Sequence, residues 1–336
     1  MNKYDITTVA ETKTCFKADV VEACRTESEV FVACGQYQLL QDNRTRVGSL
    51  CLYHMKPGES FRVEKSWSVP AVLDCRWLDP QHVAVACANG TVVIVPWKSD
   101  DTVFNEFLID SRSLILSLDF DLQRSVIICS DSLGTLSLLD AHTGRKHSSC
   151  KAHSAEGWCV SFCGESLCCS GGDDGKLTFW DIRCKKTSIS LPVDLEWSTT
   201  LSLSHQGVGI TSILPIMNRN LLLTGGYDDH LVGHDMRMLD KSLFKYPLGG
   251  GVWRIRQHPS QLSYFLAATM YDGFKFFQLD FCGVVNDLHR FGGESCASTI
   301  AYGVCWLPVE EEMEAVTCTF YDGLVQHWKF QEKTAA

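Results

Sequence analysis

Long apolar runs are missing from this sequence. Although 45% of its 336 residues are hydrophobic, no run approaches the roughly 18 to 20 apolar residues of a membrane-spanning helix. A basic excess is missing too. Forty acidic residues outweigh 30 Lys and Arg, for a net charge of −10; direct nucleic-acid binding, which wants a basic surface, is not expected. The acidic balance fits a cationic partner or substrate. The opening MNKYDITTVAETKTCF lacks the apolar core and small-residue cleavage site of a secretory signal, so a cytoplasmic protein off the membrane is expected. No two cysteines stand at C-x-x-C spacing; the nearest are Cys159 and Cys163. The 17 cysteines, an odd number, lie scattered in apolar stretches such as "VIICS", "SLCCS" and "AVTCTF". They read as reduced, buried small hydrophobes rather than disulfides or metal ligands. Two hydrolase signatures are also absent: G-x-S-x-G, which needs a strand–turn–helix context, and H-E-x-x-H.

What the chain does contain is self-similarity. "CCSGGDDGKLTFWDIR" (Cys168 to Arg183) and "LLTGGYDDHLVGHDMR" (Leu222 to Arg237) share small residues, an acidic turn, an alternating strand and an Asp-x-Arg ending. "AATMYDGFKFFQL" and "TCTFYDGLVQHWKF" repeat the scheme with a Tyr-Asp-Gly turn, and fainter copies lie upstream. The closing position of each unit falls near His54, Trp97, Leu139, Trp180, His234, Phe277 and Trp328, in steps of 41 to 54 residues. That period is near the ~40–45 residues of a tryptophan–aspartate (WD) repeat. Each unit reads as short alternating strands joined by Gly, Asp and Asn turns. Seven units predict an all-β, seven-bladed β-propeller built as one domain over 1–336. The blades are expected at 28–55, 70–98, 113–140, 153–183, 208–237, 250–279 and 299–330, with residues 12–24 as the outer strand closing the last blade. In the fourth unit His153, Ser170, Asp174 and Trp180 occupy the positions of the repeat's hydrogen-bond network, which would stabilise a blade and do no chemistry. Arg183, Lys185 and Lys186, after that unit, read as a solvated loop, and "EEEMEA" (Glu310 to Ala315) as a solvated hairpin extension between strands of the last blade.

One stretch is unusual. GGGVWRIRQHP, Gly249 to Pro259, sets three glycines before a tryptophan and two arginines. It resembles a segment of the diphthine methyl ester hydrolases, WD-repeat proteins of the diphthamide pathway. "SGGDDGKLTFWDIR", "TGGYDDHLVGHDMR", "AYGVCW" (Ala301 to Trp306) and "CTFYDGLVQHWKF" extend the resemblance in order over roughly residues 150 to 330. Residues 1 to 150 match more weakly, best at "VFVACGQYQL". The resemblance implies hydrolysis of the methyl ester on methylated diphthine, a modified histidine of translation elongation factor 2, to diphthine and methanol. It implies no metal and no organic cofactor, with water as co-substrate; a monomer is expected.

Methylated diphthine carries a trimethylammonium group, which aromatic faces and nearby carboxylates hold well. The turns Asp173-Asp174, Tyr227-Asp228, Tyr271-Asp272 and Tyr321-Asp322 belong to four consecutive blades and should emerge on one rim. They make a candidate acidic, aromatic mouth; aspartate before glycine also simply makes a tight turn. By period-two alternation Arg254 and Arg256 share one strand face, and Trp253 and Ile255 the other. The expected chemistry gives Arg254 and the Gly250 and Gly251 amides the ester carbonyl. Asp174 or Asp228 would act as base on water, with His258 as a further option. Trp253, Tyr227, Tyr271, Asp272, Tyr321 and Asp322 complete the substrate-binding set. The competing reading is a non-catalytic scaffold or methyl reader that docks elongation factor 2 or another protein.

Overall fold

Each strand-and-turn unit closes into a four-stranded antiparallel sheet, and the computed structural model contains seven such sheets. It describes residues 3–26, 29–42, 44–56, 61–98, 104–182, 198–204, 208–280, 282–292, 299–309 and 312–333; for 198–204 and 240 it describes the backbone alone. Arg183, Lys185, Lys186, Glu310 and Glu311 lie outside the described residues. Among the described residues there is no α-helix, only a 3₁₀ turn at Met217–Arg219.

The innermost strands are, in blade order, Lys17–Thr26, Val72–Asp79, Ile115–Asp121, Gly157–Phe162, Ile210–Ile216, Arg254–Gln257 and Ala301–Trp306. Each contacts the next, and the seventh contacts the first, which closes the ring. These are the strands of a seven-bladed β-propeller.

Closure of the ring corrects one expectation. The outer strand of the last blade is Tyr4–Lys13, paired antiparallel with Leu324–Glu332, and not residues 12–24. Residues 17–26 are instead the innermost strand of the first blade. The burial patterns give the reason. Ala18 to Val21 are buried outright, as a strand facing neighbours on both sides must be, whereas Tyr4–Lys13 is mostly exposed beyond its first residue. The expected blade spans fall short in a related way. From the second blade onward each holds the three inner strands and stops before the outer one, such as Lys146–Lys151 or Val285–Phe291. The span 28–55 holds only the two middle strands of the first blade. Outer strands are half-solvated and carry a weak hydrophobic signal.

The core lies between blades. Ile216, Leu221 and Leu223 of the fifth blade pack on Val252, Ile255, Phe265 and Phe277 of the sixth. Phe265 and Phe277 stack at 5.5 Å and are fully buried; truncating either to Ala costs about 3–5 kcal/mol by the usual core penalty. At the closure seam Cys305, Val316 and Cys318 meet Ala18, Val21, Val32 and Cys34. All fifteen described cysteines are free. Burial holds the Cys34 and Cys305 thiols well above the usual value, so they stay protonated and pack as apolar groups.

Candidate active site

A β-bulge at the same place in the innermost strands shapes the mouth of the channel. Pairing skips one residue between Ala18 and Val20, Val72 and Asp74, Ile115 and Ser117, Gly157 and Cys159, Ile210 and Ser212, and Ala301 and Gly303. Bulges re-aim the side chain they carry. The skipped residues are Asp19, Leu73, Leu116, Trp158, Thr211 and Tyr302, and all six line one cavity of about 350 Å³. In the sixth blade Trp253 takes the equivalent place just before its strand, its N–H bonded to the Ala268 carbonyl at 2.9 Å, and it lines the same cavity. Each blade thus contributes one side chain to the mouth.

The alternation expected at 253–256 does not extend to Trp253. Ile255 is core between blades, whereas Trp253 shares the cavity with Arg254 and Arg256. Trp253 precedes the paired strand, which begins at Arg254 opposite Ala268, so the strand's period two does not govern it.

Three of the seven mouth residues are aromatic, and they meet. Trp253 stands 4.6 Å from Tyr302, 5.7 Å from Trp158 and 6.5 Å from Tyr227, measured between ring centroids. Tyr302 stacks on Phe320 at 5.1 Å, which in turn meets Tyr37 at 5.2 Å. Trp158 is held by an indole N–H donated to Asp173 at 3.0 Å. Tyr227 and Tyr271, both exposed, extend the wall outward. The tryptophan–arginine segment and these tyrosine turns therefore open on the same end of the ring.

Below the aromatics lies a buried charge network. Asp74 is 1% exposed and accepts from Arg254 at 2.8 Å, from Arg76 at 3.3 Å and from the Leu118 amide at 3.1 Å. Burial pushes the Asp74 carboxyl up, but Arg76 and Arg254 outweigh it, and it stays below the usual carboxylate range. Deeper still, Glu22 joins Arg76 at 3.5 Å to Arg256 at 3.3 Å. Asp119 accepts from the Ser161 hydroxyl at 2.9 Å and the Phe162 amide at 2.8 Å. Arginine keeps its charge when buried, provided a carboxylate stands beside it. Arg254 still has a buried Nε without a hydrogen-bond partner among the described residues.

The structure brings Trp253, Arg254, Tyr227 and Tyr271 to the cavity and takes the other expected residues elsewhere. Asp174 accepts from the His153 Nδ1–H at 2.9 Å and the Ser154 amide at 3.0 Å. His153 Nε2 meets the Ser170 hydroxyl at 2.8 Å, and Trp180 donates to the same oxygen at 2.9 Å. This is the blade-stabilising network, and it leaves Asp174 off the cavity wall. Asp228 pairs with Lys245 at 2.8 Å, and Asp272 with Lys275 at 2.5 Å and Arg290 at 3.3 Å. Asp322 accepts from Thr299 at 3.0 Å and Thr319 at 2.5 Å; Tyr321 lies under the Lys17 ammonium, 4.9 Å from it. None of these four lines the cavity. Gly250 and Gly251 are buried against the Thr269–Asp272 turn, where a Cβ on Gly250 would come 2.3 Å from the Thr269 carbonyl oxygen. Gly250 allows close approach of backbone to backbone, and a Cβ on Gly251 would come 2.7 Å from the Met270 sulfur; neither lines the cavity. His258 follows the far end of its strand, accepts from the Gln261 amide at 2.9 Å and packs edge-on to Trp306 at 4.6 Å. Burial pushes its imidazole down to about 4. It does not reach the mouth.

The sequence reading missed Asp19, Asp74, Arg76, Trp158 and Tyr302, which come from four other innermost strands. Aligning the units on the residue that opens each innermost strand would have exposed them as one ring.

No family model matches the chain. Curated relatives do. A diphthine methyltransferase of Schizosaccharomyces pombe is 28% identical over 94% of this chain and 95% of its own length. The diphthine methyltransferase of Mus musculus is 28% identical over 91% of this chain and 70% of its own. A diphthine methyltransferase homolog of Dictyostelium discoideum is 30% identical over 284 residues, 76% of either chain. The chain belongs to the diphthine methyltransferase family.

Proposed function

We propose that this protein acts in diphthamide biosynthesis by hydrolysing the methyl ester of methylated diphthine on translation elongation factor 2, with the channel mouth as its active site. One observation carries the reading: Trp158, Trp253, Tyr302 and Tyr227 ring a cavity that also holds the carboxyl of Asp19 and the guanidinium of Arg254.

A trimethylammonium group is a permanent cation without N–H donors. It is held by π-faces, each worth about 0.5–2 kcal/mol according to how far the pair is desolvated. The mouth offers such faces from the innermost-strand positions of the fourth, sixth and seventh blades, Trp158, Trp253 and Tyr302, and from the Tyr227 turn. At 350 Å³ the cavity is of small-ligand size and takes one modified side chain, with the bulk of the factor outside. The ester carbonyl then faces Arg254, whose field stabilises the oxyanion that forms when water adds. Asp74, already ionised and paired, fixes that guanidinium rather than reacting.

The name of the relatives points to methyl transfer, and the two reactions differ in the bond that breaks. Hydrolysis cleaves the acyl carbon–oxygen bond and releases methanol; transfer breaks or makes the bond between oxygen and methyl carbon. Purified protein is incubated with elongation factor 2 bearing methylated diphthine, and the modified peptide is followed by mass together with methanol release. Conversion of ester to acid with one methanol per site is expected. Unchanged peptide mass with tight binding would leave only the reader or scaffold.

A further inference from the structure

The proposed reaction needs a group that takes a proton from water, and the three expected for it, Asp174, Asp228 and His258, do not line the cavity. One side chain that does line it is otherwise unexplained. Asp19 sits at the bulge of the first blade's innermost strand, 96% buried by its 4% exposure. Its Oδ1 has no hydrogen-bond partner among the described residues. A buried, unsatisfied carboxyl oxygen is costly and persists in native proteins mainly where function requires it. Nothing in the packing requires it at this bulge: the equivalent residues of the other blades are apolar, aromatic or a threonine.

We infer that Asp19 is the catalytic carboxylate that activates the water for ester hydrolysis. This rests on the reading of the mouth as an esterase site. The carboxylate takes one proton from water as the water oxygen bonds to the ester carbonyl carbon. The carbonyl electron pair moves onto the oxygen facing Arg254. When the tetrahedral intermediate collapses, the acyl–oxygen bond breaks and the methoxide leaving group takes the proton back from Asp19. Methanol departs, the new carboxylic acid ionises to solvent, and Asp19 is restored. Ester plus water thus gives carboxylate, methanol and one proton.

The surroundings suit that role. Burial raises the Asp19 carboxyl well above the usual carboxylate range, Arg254 opposes this, and Asp74 adds to it. Tyr37, Tyr302 and Cys318 are the other ionisable groups that feel its charge, and burial keeps all three neutral. A base whose proton affinity is raised removes a proton from water better than an ordinary surface aspartate.

The test compares wild type with Asp19→Asn and Asp19→Glu on methylated elongation factor 2. Asp19→Asn is expected to lower kcat by roughly 100-fold or more, the usual size of a general-base contribution, with KM changed little. Wild-type turnover should fall as pH is lowered through the raised carboxyl value, and the residual Asp19→Asn rate should lose that limb. Asp19→Glu should recover part of the rate. Because ionising a buried, unpaired carboxyl opposes folding, Asp19→Asn should also unfold at a higher temperature than wild type at neutral pH, which a purely structural aspartate would not do. Asp19→Asn turning over within threefold of wild type, or losing activity only because it melts lower, overturns the assignment. Wild type releasing no methanol overturns the esterase reading itself.

Discussion

Arg254→Ala is the substitution whose cost can be worked from the structure. The guanidinium is 11% exposed and lies 2.8 Å from an Asp74 carboxylate that is 1% exposed. Removing one partner of a buried pair costs about 3–5 kcal/mol, chiefly because the remaining charge is stranded. Here Asp74 keeps Arg76 at 3.3 Å and the Leu118 amide, which places the expected loss near the lower end, roughly 2–4 kcal/mol. The loss should depend on pH in one direction. Asp74 has a folded value below its unfolded one, so its stabilisation is present above the unfolded carboxylate value and fades as pH falls through the folded value. Without Arg254 the Asp74 carboxyl protonates more readily, so the penalty should shrink as pH drops toward about 4. Urea unfolding of wild type and Arg254→Ala at neutral and acid pH measures both quantities through the midpoint and slope. A neutral-pH penalty under about 0.5 kcal/mol, as at ordinary surface sites, or one that holds constant into acid, would refute this account of the channel.

Other outcomes follow from the same geometry. Trp253→Leu should raise KM for the methylated factor by roughly 2- to 30-fold, a cation–π contribution of about 0.5–2 kcal/mol, and weaken inhibition by tetramethylammonium in parallel; inhibition unchanged by the substitution would remove the cation from the aromatic mouth. Asp228→Asn and His258→Gln should keep hydrolysis within a few-fold of wild type in steady-state assays of folded protein, because neither side chain lines the cavity. Ser170→Ala should destabilise the fold by about 1–3 kcal/mol, the cost of buried donors left unmade, since both Trp180 and His153 bond to that hydroxyl; thermal unfolding checks this, and kcat below the melting range should not move.

How much of this was legible in the sequence depended on distance along the chain. Residues 222–237 and 267–279 carry enough small residues, acidic turns and alternation to specify blades by themselves, because three inner strands and their hairpins are local. Closure was not legible in the same way. Tyr4–Lys13 bonds to a strand more than 300 residues away, and its mostly exposed faces give little pattern, so the more hydrophobic Lys17–Thr26 drew the assignment. The site divides along the same line. Trp253, Arg254, Tyr227 and Tyr271 stood out in motifs. Asp19 and Tyr302 lie in stretches noted for other reasons, 12–24 and 301–306, and Trp158 in none; only the shared bulge turns them onto one mouth. Asp174 carried two readings in the sequence, blade network and base, and the structure shows the first: it is consumed by a histidine and an amide in its own blade.

The most direct measurement of the central claim is hydrolysis carried out in water enriched in heavy oxygen. If the channel mouth adds water to the ester carbonyl, the label appears in the diphthine carboxylate of elongation factor 2, the methanol carries none, and Asp19→Asn forms neither product at a comparable rate. Label in the methanol instead, or loss of methyl without any label in the peptide, would mean that the methyl–oxygen bond is the one broken and that this is not an esterase of the kind described.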